Sequence, residues 1–162
     1  YIGDERFLPA GHKDRNDQTI NEIWLDNSPI PKNNIHFIKA ELGLLEARLE
    51  YENTLKKIDK FDVVLLSMGD DGHIASLFPG HLYSKDADVI VEYNSPKLPN
   101  KRISISYRKL NKTHNVFKII LGQPKRQAIS LIFQGYDLPI NRVYGEVEKI
   151  FIHSSAIPIG GK

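Results

Sequence analysis

The residues best equipped for chemistry stand in two short polar clusters, Gly69-Asp70-Asp71-Gly72-His73 and Gly3-Asp4-Glu5-Arg6. The first follows directly on an apolar run and presents two carboxylates and a histidine. Its two glycines permit backbone angles that other residues avoid, so the chain can turn sharply there and expose its amides. His73 is the acid–base candidate, because imidazole titrates near neutral pH. Asp71 is placed to fix the tautomer of His73 and to stabilise its protonated form. The same residues also read as a surface turn with a solvated histidine, because such junctions serve both purposes.

Other chemistries find less support. The remaining histidines, His12, His36, His81, His114 and His153, are dispersed, and no pair has the spacing of a zinc motif. The sequence gives no reason to expect a metal or another cofactor. Ser67, Ser76, Ser154 and Ser155 lie outside any nucleophile-elbow pattern. With no cysteine in the chain, disulfides, thiolate metal sites and a cysteine nucleophile are all excluded. Neither a Walker nor a Rossmann glycine loop is present.

A site needs elements to hold it. Ile20, Ile23 and Trp24 share a helical face between Asn16 and Leu25, with Asp14 or Asn16 as the expected cap. Leu44, Ala47, Tyr51, Leu55 and Ile58 form an apolar stripe that predicts a helix from about 41 to 58. Phe61 to Met68 is nearly all apolar and fits a strand buried on both faces, as in a parallel sheet. Residues 102–107 alternate like a strand with one polar side, and 116–121 form another strand, stopped by Gly122. A helix is expected over 123–134 with Pro124 in its first turn, and a last strand near 149–153. Tyr1 to Arg6 reads as a strand end running into a polar loop, and residues 157–162 read as a tail. Strands alternating with helices predict an α/β fold, a Rossmann-like three-layer sandwich whose mostly parallel sheet is flanked by helices. The 162 residues form one domain, with an expectation that an N-terminal segment is missing from it.

The bulk numbers agree with that architecture. Apolar residues make up 41% and charged residues 26%, a globular rather than a disordered balance. Twenty-two basic residues stand against 20 acidic ones, a net charge of +2 with no clustered basic stripe, so a nucleic-acid partner is not expected. No apolar run is long enough to span a bilayer, so no membrane partner is expected and a cytoplasmic location is the default.

The stretch from Gly69 to Gly80, Gly-Asp-Asp-Gly-His-Ile-Ala-Ser-Leu-Phe-Pro-Gly, resembles the signature of the 6-phosphogluconolactonases within the glucosamine-6-phosphate isomerase/6-phosphogluconolactonase superfamily. Gly3-Asp4-Glu5-Arg6-Phe7-Leu8-Pro9 is similar to that family's other signature. Ser95-Pro96-Lys97, Arg102-Ile103-Ser104 and Gly122-Gln123-Pro124-Lys125 follow in the family's order, so the resemblance covers about 140 residues, Tyr1 to roughly Arg142. It implies hydrolysis of a phosphosugar lactone in the pentose phosphate pathway. His73 would be the general base on water and Asp71 its orienting partner. Arg6, Asp4, Gly69 and Asn16 would line the substrate, and Arg102 and Lys125 would hold its phosphate. Without the resemblance, Arg102 reads as a strand-end charge and Lys125 as a solvated helix start.

Two departures stand out. Arg15 occupies the place of a small residue before Asn16, adding bulk and charge at that wall of the pocket. Asp70 replaces the proline of many members. Glucosamine-6-phosphate isomerases share the Asp-Gly-His core but follow it with a glutamate, which Ser76-Leu77-Phe78-Pro79 lacks. The remaining alternatives are an isomerase-like enzyme and a non-catalytic phosphosugar-binding remnant. The expected assembly is a monomer or weak homo-oligomer.

Overall fold

The computed structural model describes residues 1–158, so residues 159–162 of the expected tail lie outside the described residues. Among the described residues, six strands form two three-stranded sheets. One sheet is wholly parallel and has the order β2–β5–β6, from β2 (Phe61–Leu66), β5 (Thr113–Ile120) and β6 (Val147–Ile152). The other is antiparallel and has the order β1–β4–β3, from β1 (Asp4–Arg6), β4 (Arg102–Ile105) and β3 (Val89–Glu92). The parallel sheet and the α/β class are as the sequence predicts. The antiparallel sheet is an addition, because β1 and β3 are too short to carry a visible periodicity.

Four α-helices accompany the strands among the described residues: α1 (Asn16–Ile23), α2 (Leu44–Leu55), α3 (Tyr107–Leu110) and α4 (Arg126–Phe133). In α2 the predicted stripe is the buried one, with Ala47, Tyr51 and Leu55 each at 0% exposure. Burial of a leucine such as Leu55 stabilises the fold by roughly 1.5–3 kcal/mol. The Tyr51 hydroxyl donates to the Ile2 carbonyl at 2.8 Å, so its polar tip is satisfied. The helix ends at Leu55 instead of running to 58, and buried Lys109 donates to the Leu55 carbonyl at 3.0 Å and also to that of Ile58. A cation closing a helix C-terminus meets both the free carbonyls and the dipole.

The start of α1 departs from expectation. Neither Asp14 nor Asn16 caps it; the carboxylate of Glu5, reaching across from β1, accepts from the backbone amides of Asn16 (2.8 Å) and Asp17 (2.9 Å). Arg15 is also not on a pocket wall. It is 2% exposed, and its guanidinium contacts Asp17 (2.7 Å), Glu41 (2.7 Å) and Glu5 (3.8 Å). The bulk expected at the pocket serves instead to fasten β1, α1 and residue 41 together.

A further difference concerns β2. The register Val63–Asn115–Val147 and Leu65–Phe117–Lys149 places these residues on one face of the parallel sheet. Val63 is 49% exposed and Leu65 64%, so the strand is buried on one face and bare on the other. The apolar run of 61–66 fits burial on both sides, yet among the described residues nothing covers the second side.

Candidate active site

The antiparallel sheet supplies the floor. Side chains alternate along a strand, so Asp4 and Arg6 share a face with Ser104 and Arg102, their partners in register, and with Glu92 opposite Arg102. The loop after β2 lies against this polar face. Ser76 donates from Oγ to Asp4 Oδ2 at 2.6 Å and from its amide to Ser104 Oγ at 3.1 Å. Further along, the Arg102 guanidinium stands 5.8 Å from the Phe78 ring, and His81 Nδ1 lies 2.8 Å from Glu92 Oε2. Ala75, at φ 46°, makes the tight turn that lets Ile74 and Leu77 bridge. A non-glycine residue in that region is uncommon and is held there by its surroundings.

His73 is fixed on several sides. Asp71 Oδ1 lies 2.5 Å from its ring Nδ1 and accepts from its backbone amide at 3.0 Å. The ring packs on Phe78 with centroids 4.6 Å apart. It also lies directly over Gly69, where an added Cβ would stand 2.0 Å from two ring atoms. Only glycine fits at 69, for reasons of space rather than of backbone angle. Burial pushes the Asp71 carboxyl up, but the amide and ring of His73 outweigh this and hold it below its ordinary value. An ionised Asp71 needs a proton on Nδ1, which leaves Nε2 as the basic nitrogen.

His73 faces a polar cleft of about 540 Å³ lined also by Arg6, Gly69, Asp70, Lys97, Arg102 and Lys125. Four of these are cations. Arg6 donates to the Asp14 carbonyl at 2.7 Å, while its Nε is buried with no partner among the described residues. Arg102 is largely committed: Nε donates to the Pro99 carbonyl, and Nη2 to those of Lys97 and Leu98, each at 3.1 Å. Its Nη1 lies 4.0 Å from Asp4. Lys125 comes from a short 3-10 turn, Gln123–Lys125, that runs into α4, so the expected single helix over 123–134 is two segments.

The structure thus gathers His73, Asp71, Gly69, Arg6, Arg102 and Lys125 at one place. Asp4 and Asn16, also predicted to line the substrate, stand behind it. Asn16 donates to Asp4 Oδ1 (3.1 Å) and to its carbonyl (2.8 Å), and both residues border a separate hollow of about 520 Å³ beside the open side of β2. Two of the amides that the glycine loop is expected to expose are engaged instead. The Gly69 amide donates to the His73 carbonyl (2.8 Å) and the Gly72 amide to the Gly69 carbonyl (3.2 Å). Lys97, which motif reading included in the Ser95-Pro96-Lys97 turn without a role, also lines the cleft.

Asp70, Asp71 and His73 bring potential ligand atoms within 4.8 Å of one another. Asp70, however, is paired with Lys97 and Asp71 with His73, so both carboxylates already have partners.

Comparison with known proteins shows the family. The family model for glucosamine-6-phosphate isomerases/6-phosphogluconolactonase matches residues 1–152, and the chain belongs to that family. It is similar to the 6-phosphogluconolactonase of Thermotoga maritima, with 31% identity over 154 residues, covering 93% of this chain and 69% of that protein. The crystal structure of that 6-phosphogluconolactonase superposes with a TM-score of 0.86 over 93% of this chain and 70% of its own. The chloroplast 6-phosphogluconolactonase 3 of Arabidopsis thaliana is 34% identical over 142 residues, which span 78% of this chain but 44% of that one.

Proposed function

We propose that this chain carries the catalytic residues of a 6-phosphogluconolactonase, hydrolysing 6-phospho-D-glucono-1,5-lactone to 6-phosphogluconate. The observation that carries the reading is the Asp71–His73 pair, 2.5 Å apart, on a cleft bearing four cationic side chains. Its basic Nε2 takes a proton from water as the water oxygen attacks the lactone carbonyl. The tetrahedral intermediate then collapses, the ring C–O bond breaks, and the departing oxygen receives the proton from His73. Asp71 stabilises the imidazolium between the two transfers. The developing oxyanion is met by the cations of the cleft. No metal is required in this scheme, and the pairing of Asp71 with His73 supports that.

The substrate's phosphate is assigned to Lys125 and to the remaining donor edge of Arg102, and the unpartnered Arg6 Nε is a further donor for the ligand. The same proposal places the chain in the cytoplasm as one lactonase domain, in which sequence beyond these 162 residues covers the bare sheet face. The exposure of Val63 and Leu65 supports this. No carboxylate follows the Asp-Gly-His core, so no residue there favours the isomerase alternative.

The test is hydrolysis of freshly generated lactone, corrected for spontaneous opening, by the protein and its His73→Ala variant. Loss of general base catalysis lowers kcat by about 10²- to 10⁴-fold. Equal rates in the two proteins remove His73 from the mechanism, and no catalysis by either removes the lactonase reading.

A further inference from the structure

Lys97 has a firmly held backbone and a loosely held charge. Its amide donates to Ser95 Oγ at 3.1 Å, and its carbonyl accepts from Ser95 Oγ (2.7 Å) and from buried Arg102 (3.1 Å). Its side chain reaches the cleft wall and is bonded to Asp70 across the mouth. The pair is open to solvent, with Lys97 37% and Asp70 52% exposed. Among the residues lining the cleft, Asp70 is the one carboxylate, set among Arg6, Lys97, Arg102 and Lys125. Both Lys97 and Lys125 act on it to hold its pKa below the ordinary value, the Lys97 hydrogen bond most strongly.

We propose that Lys97 is a further phosphate-binding residue and that Asp70 is a built-in stand-in for the ligand, occupying Lys97 in the empty cleft and yielding it when a phosphate dianion enters. This rests on the phosphosugar reading above. An exposed ion pair contributes little in water, so it breaks at small cost. A dianion facing several cations in a narrow cleft is favoured over a single carboxylate. Asp70 therefore weakens phosphate binding.

The experiment titrates the full chain with 6-phosphogluconate, inorganic phosphate and gluconate. It compares the protein with Asp70→Asn, Lys97→Met, the double variant and Lys97→Arg. Freeing an exposed pair worth about 0.2–1 kcal/mol converts to a gain of roughly 1.5- to 5-fold in affinity. That gain is expected for Asp70→Asn with both phosphate ligands and not with gluconate. Lys97→Met weakens the phosphate ligands, and Lys97→Arg retains them. In the Lys97→Met background the Asp70→Asn gain disappears. An equal gain in both backgrounds, or an equal gain with gluconate, overturns the proposal by reducing Asp70 to one negative charge near an anion site. Failure of 6-phosphogluconate to bind while inorganic phosphate shows the expected pattern counts against the lactonase reading and leaves Lys97 and Asp70 as assigned.

Discussion

The imidazole of His73 is confined by Asp71 at Nδ1, Phe78 against its face and Gly69 beneath it. Gly69→Ala would place a methyl group 2.0 Å from ring atoms, so the ring must leave its position. Misplacement of a reacting group by about 1 Å costs on the order of 10²-fold in rate. Lactone hydrolysis is expected to fall by that factor while circular dichroism stays native; a near-normal rate would show that the ring tolerates another place. Asp71 gives a second expectation. Its folded pKa is depressed, so the unfolded chain takes up the proton first as pH falls. Its stabilisation is full above the usual carboxylate range, about pH 4, and fades below it. Urea unfolding of the protein and of Asp71→Asn should therefore differ at neutral pH and converge in acid. A constant difference would mean that the carboxylate's charge is not what holds the loop.

Among the elements, β1 does more than its three residues suggest. Glu5 is 1% exposed and accepts from the amides of Arg6, Asn16 and Asp17 through both oxygens. Glu5→Gln keeps the shape but turns an amide group toward backbone donors. Thermal or urea unfolding should show a loss of about 1–2 kcal/mol, the range for a lost cap or charged hydrogen bond. No loss would show that α1 is held by Arg15 alone. How much could be read from the sequence also divides by element. Helix α2 was legible because a stripe of five apolar residues repeats over four turns. Strands β2, β5 and β6 were legible because apolar, β-branched runs bounded by Gly or polar residues have few other uses. The cap of α1 was not, because its acceptor, the Glu5 carboxylate, lies in another element and local spacing carries no trace of it. The burial of Arg15 escaped for the same reason, since its three acidic partners include Glu41, 26 positions away. The reacting pair was legible at 71 and 73, whereas the role of Lys97 depends on a contact with Asp70, 27 positions away.

For the whole molecule, the decisive feature is a parallel sheet with one bare side. Val63, Leu65, Val147 and Phe151 are 46–64% exposed on that side, although nothing in their polarity distinguishes them from core residues. A one-dimensional pattern reports that a residue prefers burial, not that its burial is achieved. An apolar patch of this kind binds dyes and neighbouring copies. The 162-residue chain is therefore expected to enhance the fluorescence of an anionic naphthalene dye at neutral pH and to sediment faster as its concentration rises. Val63→Thr with Leu65→Lys should suppress both signals. It should leave stability within about 0.5 kcal/mol per site, as for other exposed positions. A large loss of stability would instead show that these side chains are packed in solution and that the face is covered. Unchanged dye binding would move the apolar surface elsewhere on the molecule.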